Sequence, residues 1–179
     1  MLSENEHRLI EDNLGNWKKV IGPAYTGYKN HVCRMVTFCM ALHPCSEEER
    51  EKILIAGSFH DIGIWTAHTL DYIPPSLPPA MDYLQSRNLG HWSKEIGLMI
   101  SEHHKLRAYP DLQYPLVEVF RRGDLVDFSL GFFKFGLSRS YIDEVKARYP
   151  NAGFHKNLVR LATRWLIKHP LNPAPMMKW

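Results

Sequence analysis

Ile53-Leu54-Ile55-Ala56-Gly57-Ser58-Phe59-His60-Asp61-Ile62-Gly63 is the stretch whose reading decides the fold. An apolar run ends on two adjacent residues of metal-ligating type. Ile53, Ala56, Gly57 and His60 recur at three- and four-residue steps, so His60 shares the inward face of a helix and lies near its C-terminus. Asp61 follows directly. Burying an imidazole beside a carboxylate is costly unless both are partnered. A divalent cation satisfies both, because neutral His and ionised Asp are ligands for hard to borderline metals. Upstream, Ser46-Glu47-Glu48-Glu49 has the form of a capping box that opens this helix. Gly63 is expected to relax the backbone after the pair.

Working outward, residues 2–19 read as an amphipathic helix on Leu2, Leu9, Ile10, Leu14 and Trp17, stopped by Gly22-Pro23. Tyr25 to Leu42 is a stronger helical pattern. Tyr28, His31, Met35, Phe38 and Leu42 share one face, which puts His31 on the inward stripe. Between Trp65 and Ala80 the periodicity is lost, and Pro74, Pro75, Pro78 and Pro79 argue against a regular helix. That stretch reads either as a stiff connector or as a wall over the site. Short helices are expected over Met81–Arg87, ended by Asn88-Leu89-Gly90, and over Ser93–Lys105, with Ile96, Met99, Ile100 and His103 inward. Leu116–Ser129 reads as a helix with Val117, Phe120, Asp124 and Asp127 or Phe128 in step. An aromatic loop, Gly131–Gly136, leads to helices over Ser138–Tyr149 and Asn157–Lys168 and to an extended strap from Pro170 to Trp179. With no alternating strand-like run, the reading is one all-α domain.

The bulk numbers agree with a folded domain: 179 residues, 45% hydrophobic and 23% charged. A net charge of +3 suits anionic small molecules and is too weak to argue for nucleic acid. Cys33, Cys39 and Cys45 carry no CxxC pair, so neither a disulfide framework nor a structural zinc site is indicated. The acidic N-terminus does not resemble a signal peptide, and no apolar run has a membrane span's length. A reducing, cytoplasmic setting is expected.

His31, His60-Asp61 and Asp124 stand out together as ligand types on three successive inward helical faces, with Asp127 an equal rival to Asp124 by periodicity. Two imidazoles and two carboxylates would suit Fe, Mn, Ni, Zn or Mg. Singly, each has an ordinary reading as a core or surface residue; the argument lies in their order. That order resembles the HD-domain superfamily of metal-dependent phosphohydrolases. Tyr28-Lys29-Asn30-His31-Val32 is similar to the helix giving that family's first His, and Ala56–Gly63 to its signature His-Asp segment. Arg122-Gly123-Asp124-Leu125-Val126-Asp127 is similar to the family's final segment, which favours Asp124. The resemblance covers roughly residues 25 to 130, with the helices and tail over 138–179 beyond it, in a single helical domain of the HD-domain type.

The resemblance implies metal-dependent hydrolysis of a nucleotide or another small phosphate ester, with Asp61 orienting water. In two-metal members a His-His pair helps hold metal, and His103-His104 stands in the comparable place. The Gly-Tyr-Pro motif of the phosphodiesterase branch is absent, and neither His68 nor His91 suits the additional His of that set. One tight metal is therefore favoured, with His103 or His104 acting on substrate as a proton donor or anion contact. Lys105, Arg107, Arg121 and Arg122 are candidate phosphate contacts, or else a solvated face. Two other functions remain open: a mixed-valent di-iron oxygenase, and a non-catalytic metal-containing domain that binds a ligand. The aromatics from Phe128 to Phe135 leave a homo-oligomer interface open as well.

Overall fold

The computed structural model describes residues 1–178, and these form an all-helical domain. In order the α-helices are α1 (Glu4–Gly15), α2 (Lys18–Ile21), α3 (Tyr25–Leu42), α4 (Glu47–Phe59), α5 (Gly63–Thr66), α6 (Ile73–Ser86), α7 (Ser93–Glu102), α8 (Pro115–Phe128), α9 (Arg139–Arg148) and α10 (Phe154–Lys168). Short 3-10 turns over Gly22–Ala24 and Gly90–Trp92 join neighbours. Among the described residues the one β-type pairing is an isolated bridge between Lys105 and Lys178.

Local chemistry sets most of the boundaries. Ser46 opens α4 with the expected reciprocal cap, its N–H donating to Glu49 Oε2 at 2.7 Å and its Oγ accepting from Glu49 N at 3.3 Å. Ser3 and Glu6 make the same box at α1. The single helix expected over residues 2–19 is in two pieces. Gly15 and Asn16 are poor helix formers, and the Trp17 N–H turns back three residues to Leu14 O at 3.0 Å. The last two helices and α7 differ from expectation only by a few terminal residues.

The larger correction concerns the proline-rich stretch. Residues 73–86 are one helix, α6, through Pro74, Pro75, Pro78 and Pro79. Pro74 and Pro75 fall in the first turn, where no N–H has a helical acceptor, and proline costs little there. Pro78 and Pro79 forgo two later bonds, but the start of the helix is tied down by Ser76, whose Oγ donates to Tyr72 O at 2.8 Å and accepts from Gly63 N at 2.9 Å.

The same contact corrects the expectation for Gly63. Its φ is not positive; its glycine is required because a Cβ would meet Tyr72 O, and would lie 3.0 Å from Ser76 Oγ and Pro75 Cγ. Close approach of α6, and not backbone freedom, fixes the residue.

α3 is the centre of the domain. From His31 to Cys39 every residue is buried, so the helix is enclosed all round instead of on one stripe. It packs most extensively on α8 and also touches α1, α4 and α9. The α3–α8 approach is close at Gly123, where a Cβ would lie 2.9 Å from both Cys39 N and Met35 O. Fully buried apolar side chains such as Tyr28, Met35 and Phe38 contribute about 1.5–3 kcal/mol each. Against this framework α3, α4 and α8 carry the ligand-type residues to one depth. None of the described helices is long and apolar enough to cross a membrane.

Candidate metal centre

His31 from α3 and His60 at the C-cap of α4 face each other with Nε2 atoms 3.1 Å apart. Asp61 Oδ2 lies 3.7 Å from His31 Nε2 and 3.3 Å from His60 Nε2. These three residues form a tight buried triad. Asp124 of α8 stands at its side, with Oδ1 3.5 Å from His31 Nε2 and 3.8 Å from His60 Nε2. All four side chains are nearly inaccessible to solvent. Ligand atoms about 3.0–3.6 Å apart are what bonds of about 2.0–2.2 Å to a shared cation require.

The other ring nitrogens decide which atoms face inward. His60 Nδ1 is 2.8 Å from Gly57 O, and a carbonyl only accepts, so Nδ1 carries the proton. His31 Nδ1 lies 2.7 Å from Asp127 Oδ2. Burial works against the Asp127 carboxylate, but hydrogen bonds from His31 and Arg34 hold its pKa down at about 2, so it too accepts. Nε2 is therefore the position on each ring left for a second proton or a metal, and the two Nε2 atoms point at one spot. The pull is visible in His60: burial opposes its charged form, yet Asp61 and Asp124 outweigh burial and raise its pKa to about 9. A proton and a divalent cation compete for the same position.

His103 extends the cluster. Its Nδ1 is fixed by Ile100 O at 2.7 Å, and its Nε2 lies 3.5 Å from Asp61 Oδ1, too long for a hydrogen bond. Asp61 Oδ1 and His103 Nε2 are buried without a hydrogen-bond partner among the described residues. Orphaned polar atoms at such depth call for a ligand. Burial tends to raise the Asp61 pKa, but the charge of His60, with His103 adding, holds it well below the ordinary range. For Asp124 burial prevails over the nearby imidazoles and raises the pKa. Asp61, His103 and His104 make a second group of ligand spacing. The donor set, mixed N and O with two orphaned atoms, fits a divalent cation.

Several contributors escaped the sequence reading. Asp127, a rival to Asp124 by periodicity, instead orients His31 from behind. Arg34, buried inside α3, grips Asp127 through Nε at 2.5 Å and Nη2 at 2.8 Å, and donates to Tyr149 O at 2.9 Å. Phe154 stacks on the His31 ring with centroids 4.2 Å apart. Tyr72 lies 2.5 Å from His104 Nε2. Burial keeps its phenol protonated well above the usual range, so it is the donor. Burial and the adjacent His103 in turn push the His104 pKa well down, leaving a neutral ring.

The cationic candidates are not gathered over the cage. Arg121 donates to Glu118 through Nε and Nη2, both at 2.7 Å, and Arg122 shares that carboxylate. Arg107 is exposed. Lys105 lies 3.8 Å from Glu102 and, with Arg121, lines a side cavity of about 300 Å3 that also reaches His103, His104 and Asp124. No family model matches this chain, and neither does any curated protein or solved structure.

Proposed function

We propose that the protein is a metal-dependent phosphohydrolase of the HD-domain type, acting on a nucleotide or another small phosphate ester. The observation that carries this reading is the convergence of His31, His60, Asp61 and Asp124 on one buried point beside the orphaned Asp61 Oδ1 and His103 Nε2. A divalent cation held there would lower the pKa of water and polarise a phosphoryl oxygen.

The chain's own groups have separable roles in this scheme. Asp127 and Gly57 O fix the tautomers of His31 and His60, so the ligand atoms are aimed before anything binds. Asp61 Oδ1 is an acceptor for the proton of an attacking water. Water adds to phosphorus, the P–O ester bond breaks, and the leaving alcohol takes a proton. The Tyr72–His104 pair holds such a proton at the cavity wall. Lys105 and Arg121 stabilise charge from the side cavity.

The test combines elemental analysis of purified protein with phosphate release from a panel of phosphate esters. His60→Ala and Asp61→Ala should each lose bound metal and turnover together. Wild-type metal content and activity in both variants would overturn the reading. The Asp61, His103 and His104 group supports a second reading, a mixed-valent di-iron oxygenase. Two irons per chain with dioxygen uptake, and no phosphate release, would select it.

A further inference from the structure

The net charge of +3 conceals an uneven distribution. Residues 145–179 contain seven lysines and arginines and no aspartate or glutamate, whereas residues 1–144 contain 15 against 19. Such asymmetry points to a polyanionic partner. Four of the seven, Lys156, Arg160, Arg164 and Lys168, follow one another at four-residue steps along α10. They form a row of about 18 Å at 1.5 Å per residue. Like charges at this spacing destabilise a helix. Lys156 also opposes the helix dipole, with no acidic residue in the first turn and no side-chain cap beside it. Elsewhere the cost is offset, since Lys29, Arg50, Lys52 and Arg139 each meet a carboxylate. None of the four on α10 has a hydrogen-bond or ion-pair partner among the described residues.

Two grooves run end to end beside this row. The first, about 460 Å3, lies between α10 on one side and Pro23, Ala24 and α5 on the other, and Arg160, Arg164 and Lys168 line it with Trp65 and Trp165. The second, about 500 Å3, continues past Arg160 to Lys156. Both indoles are set by groups outside the groove. Trp65 packs on Tyr28 with centroids 4.4 Å apart. Trp165 lies 4.0 Å from the His169 ring and donates from Nε1 to Asn172 O at 2.8 Å. With the cavity at the candidate centre the grooves share only the apolar Leu70, Phe154 and Val159, so they form a separate site.

We propose that this track binds single-stranded nucleic acid, with the four cations following the phosphates and Trp65 and Trp165 stacking on bases. A mononucleotide carries its phosphates at one end and meets only part of so long a row. A duplex keeps its bases stacked inside and leaves the indoles without a partner. A membrane surface is flat and does not reach indoles within a groove.

The experiment is fluorescence anisotropy with the whole chain and labelled DNA and RNA strands of about 12 nucleotides, a length within the usual range of such sites. Salt is varied from about 50 to 200 mM. Log K for the single strand should fall by about 3 per tenfold rise in salt, as four phosphate contacts at about 0.7 each require. Arg160→Ala and Arg164→Ala, both exposed in the wild type, should each flatten that slope by about 0.7. Trp165→Ala should weaken binding roughly fivefold or more and leave the slope in place. A duplex of the same sequence should bind more weakly at equal salt, and adenosine monophosphate at equal phosphate concentration should not displace the strand. Absence of binding to both strands, unchanged slopes in both arginine variants, unchanged affinity in Trp165→Ala, equal binding of the duplex, or displacement by adenosine monophosphate would overturn the proposal. Binding to phosphatidylserine vesicles with no binding to either strand would assign the row to a membrane surface and overturn it as well. Each outcome is independent of turnover at the candidate centre.

Discussion

The cage on α3, α4 and α8 and the cover formed by α10 and the strap meet across one small cavity, and they are built on opposite principles. In the cage, polar side chains are almost wholly buried and nearly every donor and acceptor is matched, from Tyr149 O through Arg34, Asp127 and His31 to the ligand point. In the cover, apolar side chains predominate and many face solvent: Val159 is 66% exposed, Ile167 76% and Leu171 99%. Its grip on the rest is a few hydrogen bonds and the packing of residues such as Phe154 and Leu158. The difference teaches that the geometry of the ligand-type residues is held where rearrangement is expensive, whereas the cover is a segment that can change at little cost to stability.

Cutting the cage behind the ligands should have the largest effect. Arg34→Ala leaves the buried Asp127 carboxylate with His31 alone. Removing one partner of such a pair costs about 3–5 kcal/mol, and chemical denaturation will read it. Metal content should fall with it, because His31 loses its fixed orientation. A loss below about 1 kcal/mol would place Arg34 outside the support of the cage.

Gly123→Ala tests the scaffold that brings α8 to α3. A methyl 2.9 Å from two backbone atoms forces the helices apart, and overpacking of this kind costs about 1–3 kcal/mol. Asp124 rides on the same helix, so bound metal should drop as well.

Glu118 sharpens the comparison from the rim of α8. Burial disfavours its charge, but hydrogen bonds from Arg121, Tyr109 N and Arg122 hold its pKa at about 2, below its ordinary 4.5. With the folded value depressed, its contribution to stability is full above about 4.5 and fades as pH falls toward 2. The stability gap between wild type and Glu118→Gln should therefore close across that window in pH-dependent denaturation. A constant gap would contradict the ion pairing.

The cover should respond least. Lys178→Ala removes the half-buried pair with Glu102 at the surface, worth about 0.2–1 kcal/mol. Thermal stability should barely move, whereas amide exchange in the strap should quicken. If the melting temperature fell as far as in Arg34→Ala, cover and cage would be a single unit after all.

The two regions were also unequally legible in the sequence. The Ser46 capping box, the helix over Tyr25–Leu42 and the inward positions of His31, His60 and Asp124 follow from local spacing, and the structure has them so. Helical periodicity reports a face, but it does not report depth or distance. It gave Asp124 and Asp127 the same standing, and only the packing of α8 on α3 turns one toward both imidazoles and the other behind His31. Arg34 was invisible because its partner lies 93 residues away. The helix over residues 73–86 is not legible in its sequence, because Pro78 and Pro79 lie past the first turn and the helix stands on tertiary ties such as Ser76 to Gly63 N.

By itself the sequence determined an all-helical chain and the ligand types on its inward faces, because both depend on short-range periodicity and side-chain chemistry. Only the tertiary structure decided which nitrogen of each histidine faces the cavity, how large that cavity is, and that two methionines from the far end of the chain line it. Those properties arise from contacts between residues far apart along the backbone, which local spacing does not encode.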